Sequence, residues 1–505
     1  MSKVSKLVAI ALIAVIVAAG AGYWLLTPKI PKEATSIVQQ TSLLTPLERS
    51  QTSTESTILG SATTAYELDW LETRGSWIVN DRGDVVILRG VNLFGLQYAP
   101  PSQGFASEHN EVDFERIASW GFNVVRLCIA WDLLEPMSGR YDAHYMDLIK
   151  ERVVWAKQHG VYTIVDMHKN SNWSEKFGGY GVPSWAVKPY NTREEAIRGF
   201  YLNENGIQDR FAAAWSFLAA EFADDPAVAG YDLFNEPASY YAAKLSIEEW
   251  RQRLQGLYEK TIDSIRKVDS RHMILVEPDG SFPGKPIDLG RLVRVVRPNV
   301  AYSPHPYIGE EERDGDWNVY SYDGNKAALD EWFKPLYDLV CLRWNAPLWM
   351  GEFSSAIGDK RSIGVVEYAE DMLDLMDHYK LGWAWHAYMI DRHGTSPSYL
   401  LDAKGFVREQ LVRILDRVYP QSASLPIEAF TYDPHSYEAD LTVTAPEKAL
   451  NVTIRLHVPS RFSDVQFLNG EPAKPNCDWN KSLHVLTIWL SVRKPISLRL
   501  EFSEA

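Results

Sequence analysis

A chain of 505 residues, 46% of them hydrophobic, can bury a large core and form more than one domain. Its formal net charge of -15 speaks against a nucleic-acid partner, which would need a basic stripe. Three cysteines, Cys128, Cys341 and Cys477, are too few and too scattered for a disulfide framework or a thiolate metal cluster.

Lys3 and Lys6 precede Leu7 to Leu26, a run of 20 residues without a charge. At about 1.5 Å rise per residue this run matches a bilayer core of about 30 Å, and the basic residues keep its leading end cytoplasmic. Residues 1–26 therefore read as a membrane anchor, or as a signal sequence cleaved near Ala19-Gly20-Ala21. Either way the bulk of the protein is expected outside the cell or at its surface, touching membrane only through this segment. Residues 27–66 are rich in Ser, Thr and Pro with no apolar period, and read as a linker.

Order is expected from residue 67. In "GSWIVNDRGDVVILRGVNLFG" two β-branched runs flank Asn80 to Asp84, a hairpin signal leading into a first core strand, Val85 to Val91. Strands and helical stretches then alternate. "FNVVRLCIAW", "VYTIVDMH", "AVAGYDLFNEP", "HMILVEP", "VAYSPHPY", "PLWMGEFS" and "LGWAWHAYMI" read as strands, separated by stretches such as "DAHYMDLIKERVVWAKQHG" with helical spacing. Eight such units over residues 67–420 predict an α/β fold, a closed (β/α)8 TIM barrel. A doubly wound open sheet would carry a glycine-rich phosphate loop after an early strand, and "RGVNLFG" is not one. Residues 421–505 change texture: "LNVTIRLHVPSRF" and "LHVLTIWLSVRKPISLRLEFS" alternate apolar and polar without helices, predicting a small all-β sandwich.

Reactive groups in such a barrel sit where its strands end. Arg126 lies on the second strand, His168 ends the third, and Asn235 and Glu236 end the fourth. His305 and Tyr307 end the sixth, Glu352 ends the seventh, and the eighth carries Trp383 and Trp385. Two opposed carboxyls are what glycosidic cleavage needs, one protonating the departing oxygen and the other, ionised, attacking the anomeric carbon. Arg126 near Glu352 would keep that carboxylate ionised. Asn235 can bond a sugar 2-hydroxyl, Tyr307 can donate to the nucleophile, and His168 and His305 can hold hydroxyls or orient the acids. Taken singly, a buried Arg or His is more often structural; the coincidence at the strand ends carries the weight. Glu277, ending the fifth strand, reads as orienting its neighbours, Asp166 as a deeper partner of His168, and Glu310 to Glu312 as a solvated acidic loop. A metal hydrolase using Asp166, His168 and His305 would want a His-x-His pair on the first strand, which "RGVNLFG" lacks. No metal and no cofactor is therefore expected. A silenced barrel that only binds carbohydrate is a further alternative, disfavoured because both glutamates are present.

"RGVN", "DMH", "YDLFNEP", "PHPY" and "GEF" occur in an order that resembles glycoside hydrolase family 5, in the clan of retaining β-glycosidases with glutamates on strands four and seven. The resemblance implies Glu236 as acid/base and Glu352 as nucleophile. It places Arg126, His168, Asn235, His305 and Tyr307 in supporting positions and Trp385, or else Trp383, as the sugar platform. "FGGYGVPSWAV", "FADDPAVAGYDLFNEP" and the appended β-domain resemble the endoglycoceramidase-like branch. That likeness implies a β-linked sugar on a bulky apolar group, a glycolipid-like substrate, with Phe177, Tyr180, Val182 and Trp185 as an apolar wall. A cellulase- or mannanase-like action on polysaccharide is the alternative. Three departures stand out: "DMHKNSNW" lacks a Gln-Asp pair after the histidine, "GEFSS" has Phe where the branch has Trp, and His386 falls where an active-site tryptophan is expected.

Overall fold

The alternation of strand and helix closes into a barrel in the computed structural model. It describes residues 67–98, 109–278, 289–307, 310–311, 319–357, 359–360, 362–391, 394, 396–444, 450–469, 475–492 and 495–504. The anchor or signal expected at 1–26 and the linker at 27–66 lie outside the described residues. Among the described residues, no helix is long and apolar enough to cross a membrane. Glu310 and Glu311 form a short strand, and Glu312 lies outside the described residues.

The eight barrel strands are β1 Arg89–Leu93, β2 Val124–Ile129, β3 Tyr162–Met167, β4 Val228–Asp232, β5 Met273–Val276, β6 Val300–Tyr302, β7 Trp349–Phe353 and β8 Gly382–Tyr388. They lie in the order β7-β8-β1-β2-β3-β4-β5-β6, with neighbours paired in parallel. A parallel bridge from Tyr302 to Leu348, with the Tyr302 N–H donating to the Pro347 carbonyl at 2.9 Å, closes β6 onto β7. Apart from His386, the strand residues are buried on both faces, as a barrel sheathed by helices requires. Local chemistry starts those helices: Asn110 and Asp113 form a capping box ahead of Glu111–Ser119, and the Ser246 side chain accepts from the Glu249 N–H ahead of Ile247–Ile265.

The barrel interior is layered. Val124, Ile164, Ala229, Met273, Leu275, Ala301, Trp349 and Ala384 form an apolar floor. One pleat further along, the inward positions turn polar: Asn92, Arg126, Asp166, Asp232, Glu277 and Ser303, all buried. The chemistry therefore sits on a dry base at the C-terminal ends of the strands.

Two antiparallel sheets make the expected sandwich. One has four strands, Ile427–Asp433, Glu438–Val443, Ile496–Glu504 and Phe462–Asn469. The other has seven, and three of them come from the N-terminal side of the barrel: Leu71–Arg74, Trp77–Asn80 and Val85–Val86 join Tyr419–Ala423, Leu450–His457, Val485–Val492 and Asn476–Asn480. The single strand expected from Val85 to Val91 is thus two. Val85 and Val86 pair with Ala423 and Ser422, while Arg89–Leu93 enters the barrel. The split falls at Ile87 and Leu88, which drop into different cores, Ile87 into the sandwich and Leu88 into the barrel floor. The boundary expected at residue 420 lies inside a strand of the shared sheet.

A buried ionic seam reinforces this junction. Arg89 Nη2 meets Asp377 Oδ1 at 2.5 Å, and Arg417 Nη2 meets Asp377 Oδ2 at 3.1 Å and Asp374 Oδ1 at 2.5 Å. The Arg89 guanidinium also lies 4.6 Å from the centre of the Tyr419 ring. Removing one partner of a buried pair costs about 3–5 kcal/mol. A chain of residues 67–416 is therefore expected to be insoluble or to lack a cooperative unfolding transition, whereas 67–505 folds. Circular dichroism during heating distinguishes them, and a cooperatively unfolding 67–416 chain would show that the seam and the shared sheet are dispensable.

Candidate active site

The polar layer is organised around one cation. Arg126, fully buried on β2, donates from Nε to Asp232 Oδ2 (2.9 Å) and from Nη1 to Asn92 Oδ1 (2.9 Å) and Glu352 Oε1 (2.7 Å). From Nη2 it donates to Asn235 Oδ1 (3.0 Å) and Glu277 Oε1 (2.8 Å), with Asp166 Oδ1 at 2.9 Å. A planar fork of five N–H donors suits such a ring of acceptors as an ammonium would not. One positive charge cannot hold four buried carboxylates ionised together. Burial, with the Asp232 charge beside it, pushes the Glu277 carboxyl well above the usual range, and burial raises Asp232 as well. Burial also works against ionised Glu352, but His305, His386, Arg126 and His168 together outweigh it and hold that carboxyl well below the usual range. The environment thus keeps Glu352 ionised.

Glu352 is also oriented. Arg126 holds Oε1, and the Tyr307 hydroxyl donates to Oε2 at 3.0 Å; burial raises the phenol's pKa, so it stays a donor. Glu236 approaches from the opposite wall. His305 Nδ1 lies 3.0 Å from Glu236 Oε1 and 3.7 Å from Glu352 Oε2, and the facing atoms of all three residues fall within 4.8 Å of one another. His305 gets there because residue 351 is glycine: a Cβ would stand 2.3 Å from Ser303 Oγ and 2.9 Å from His305 Nε2. The Glu236 side chain is 19% exposed against 6% for Glu352, so the acid on β4 is the one open to a leaving group and to water.

His168 Nδ1 lies 2.7 Å from Asp166 Oδ2, and its Nε2 faces the Asn235 amide at 3.4 Å. The Asn235 amide also donates to the Lys169 carbonyl at 3.0 Å. The structure therefore brings together Arg126, His168, Asn235, Glu236, His305, Tyr307 and Glu352, with Asp166 and Glu277 as their supports. Asn92, Asp232 and Lys169 belong to the same cluster and were passed over in the sequence. Asp232 had a signal, an acid inside the apolar run "AVAGYDLF".

Trp385 does not face the site. It is fully buried, its indole N–H donates to the Ser398 carbonyl at 2.8 Å, and its ring packs edge-on against Phe353. Trp383 is buried likewise, against Phe122 and Phe353. The reason is strand phase: on β8 the two tryptophans share the helix-facing side, while Ala384 and His386 share the other. His386 therefore takes the inward position, with its ring centre 4.6 Å from Phe94 and 6.5 Å from Tyr307. The expected apolar wall is also mostly internal. Val182 is buried in the core, Trp185 packs on Trp131 and donates to the Glu135 carbonyl, and Phe177 packs against the core. Tyr180 alone of the four reaches the site, its ring stacked 6.2 Å from His168 and edge-on to Tyr98 at 5.1 Å. With Phe94, 4.9 Å from His168, it makes an aromatic patch on one side of the acids.

Three clusters among the described residues have donors spaced as for a metal: Cys128, Asp166 and His168; Glu236, His305 and Glu352; and Asp166, Asp232 and Glu277. Arg126 already fills the third with its charge. In the first, burial pushes the Cys128 thiol well above its usual range, so the thiolate a metal needs is disfavoured. The second is the pair of opposed acids itself.

Residues 79–391 match the family described as cellulase (glycosyl hydrolase family 5). The endoglycoceramidase of Cyanea nozakii is 29% identical over 435 residues, covering 74% of this chain and 80% of that one. Endoglycoceramidase I of Rhodococcus hoagii (strain 103S) is 25% identical over 394 residues, covering 71% and 74%. Among solved structures, the lactosyl-enzyme intermediate of endo-glycoceramidase II from Rhodococcus sp. matches with a TM-score of 0.68 at 22% identity, covering 85% of this chain and 100% of that one. Since the family match runs from the N-terminal hairpin past the last barrel strand, the chain belongs to glycoside hydrolase family 5.

Proposed function

We propose that this enzyme hydrolyses β-glycosides with retention, Glu352 attacking the anomeric carbon while Glu236 protonates the departing oxygen. The carrying observation is the separation of the two carboxyls. One oxygen of each carboxyl lies within 4.8 Å of the other, which supports direct attack and a covalent glycosyl-enzyme at a separation of about 5–5.5 Å over the wider gap of about 6.5–9.5 Å in which an inverting pair holds a water. In the second step Glu236 takes a proton from water, which then releases the sugar from Glu352. Asn235 and His168 lie beside the glutamates, where sugar hydroxyls would bind, and His386 takes the place expected of a stacking indole.

For the substrate, the proposal is a sugar β-linked to a bulky apolar group. It is supported by two relatives named as endoglycoceramidases that align over most of their length, and by the patch of Phe94, Tyr98 and Tyr180 next to His168. Polysaccharide cleavage is the second reading, favoured by the family's description as cellulase. An exported enzyme tethered by residues 1–26 would meet glycolipid at a membrane surface. The charge-free run after Lys3 and Lys6 supports that location.

The two glutamates are expected to fail differently. Glu352→Ala removes the attacking group, so turnover falls by at least about a thousandfold, and azide restores it with a product of inverted configuration. Glu236→Ala still forms the glycosyl-enzyme from dinitrophenyl glycosides, whose leaving group needs no proton. The intermediate then builds up, visible by mass, and azide releases a product of retained configuration. Like behaviour of the two variants, or inversion by the wild type, would refute these roles.

The substrate class is read from alkyl β-glycosides of increasing chain length. A lipid-binding site predicts kcat/KM rising with each methylene, up to about fourfold per fully buried CH₂. Flat dependence, with rapid cleavage of cello-oligosaccharides, would favour the polysaccharide reading.

A further inference from the structure

Glu236 sits at φ +43°, a left-handed conformation that a side-chain-bearing residue keeps only where its surroundings hold it. Two ionisable side chains from the flanking strand ends do so. Glu277, just past β5, accepts the Glu236 N–H on Oε2 at 2.6 Å. Lys169, just past β3, donates from Nζ to the Glu236 carbonyl at 2.6 Å. One bond grips the amide on the near side of the residue and the other grips the carbonyl on its far side.

Lys169 is an unusual residue to find there. It is only 4% exposed, its ammonium lies 5.5 Å from the Trp173 ring centre and 5.7 Å from that of Phe234, and burial lowers its pKa. Burying a cation is costly unless its partners repay it, and a carbonyl alone could be satisfied by water or an amide. The repayment includes attraction to the carboxylates of Glu236 and Asp166. Lys169 also follows His168 directly, at the start of the segment where a Gln-Asp pair was expected. The attack of Glu352 needs nothing from it.

The geometry points to Lys169 and Glu277 as positioning residues that clamp the Glu236 peptide from both sides and so hold the acid/base carboxyl against His305, opposite Glu352. This role rests on the retaining-glycosidase reading above. Neither residue touches the reacting atoms. The clamp acts on the proton transfers alone, in which a donor out of line by a fraction of an ångström loses much of its effect. Its loss should therefore spare a substrate whose leaving group needs no proton.

The test compares wild type, Lys169→Met and Lys169→Arg on an alkyl β-glycoside and a dinitrophenyl β-glycoside of the same sugar. For Lys169→Met, kcat/KM on the alkyl glycoside should fall about 10- to 100-fold while that on the dinitrophenyl glycoside stays within about threefold. With dinitrophenyl substrate, kcat and KM should fall together as the glycosyl-enzyme accumulates, because Glu236 also serves the second step. Lys169→Arg, which keeps a charged donor, should recover most of the loss. Should the methionine variant fail to fold, Lys169→Gln puts the same question with a shorter, neutral donor. Equal losses on both substrates would mean a merely structural lysine, and no loss on either an idle one; both outcomes overturn the clamp. Wild-type turnover with retention checks the underlying reading separately. Without it both ideas fall, whereas a retaining wild type with equal variant losses overturns the clamp alone.

Discussion

The guanidinium of Arg126 has no access to water, so its charge must be answered by the barrel's own acids. Asp166, Asp232, Glu277 and Glu352 each come within 2.9 Å of it, from four different strand ends. That one cation fixes where the strands' polar ends stand and how charge is shared among them. Because it cannot neutralise four carboxylates, the cluster divides: burial favours protonated Glu277, while the histidines around Glu352 join Arg126 in keeping the nucleophile ionised. Division of charge inside one hydrogen-bonded cluster is what lets chemically identical side chains take different parts in a reaction.

The remainder of the molecule reads as support for that cluster. Below it lies a buried apolar floor; around it, helices cover the outward faces of the strands. The sandwich is tied to the barrel by strands contributed from the N-terminal side and by the pairing of Arg89 and Arg417 with Asp377. Arg89 is the first residue of β1, three before Asn92, whose side-chain Oδ1 accepts from Arg126. The strand that leaves the seam is thus the strand that touches the hub.

Much of this was legible in the chain because the functional residues break a pattern. An arginine within "NVVRLCIAW" and glutamates closing "GYDLFNEP" and "LWMGEF" are expensive to bury without a purpose, and the structure gathers them at one end of the barrel. What was not legible depends on phase and on distant partners. Whether Trp385 or His386 faces inward depends on which pleat of β8 meets the interior, and a strand whose one polar side chain among small and aromatic residues is His386 gives no polar alternation to settle it. That Val85 and Val86 pair with Ser422 and Ala423 is a non-local fact that no window of sequence contains. The loop side chains of Val182 and Trp185 could have packed inward or outward on composition alone; they pack inward. Lys169 showed itself only as a departure from an expected pair, and its value lies in an atom of Glu236, 67 residues away.

The central claim is that Arg126 and its companions make Glu352, and not Glu236, the nucleophile. The most direct test is to trap the intermediate on the wild-type enzyme with a 2-deoxy-2-fluoro β-glycoside carrying a dinitrophenolate leaving group. The fluorine slows both steps and the leaving group speeds only the first, so a covalent adduct persists. After proteolysis, mass spectrometry locates the labelled residue. One fluorosugar per chain, esterified to Glu352, is the result this account requires. A label on Glu236, or an active enzyme that forms no adduct, would contradict it.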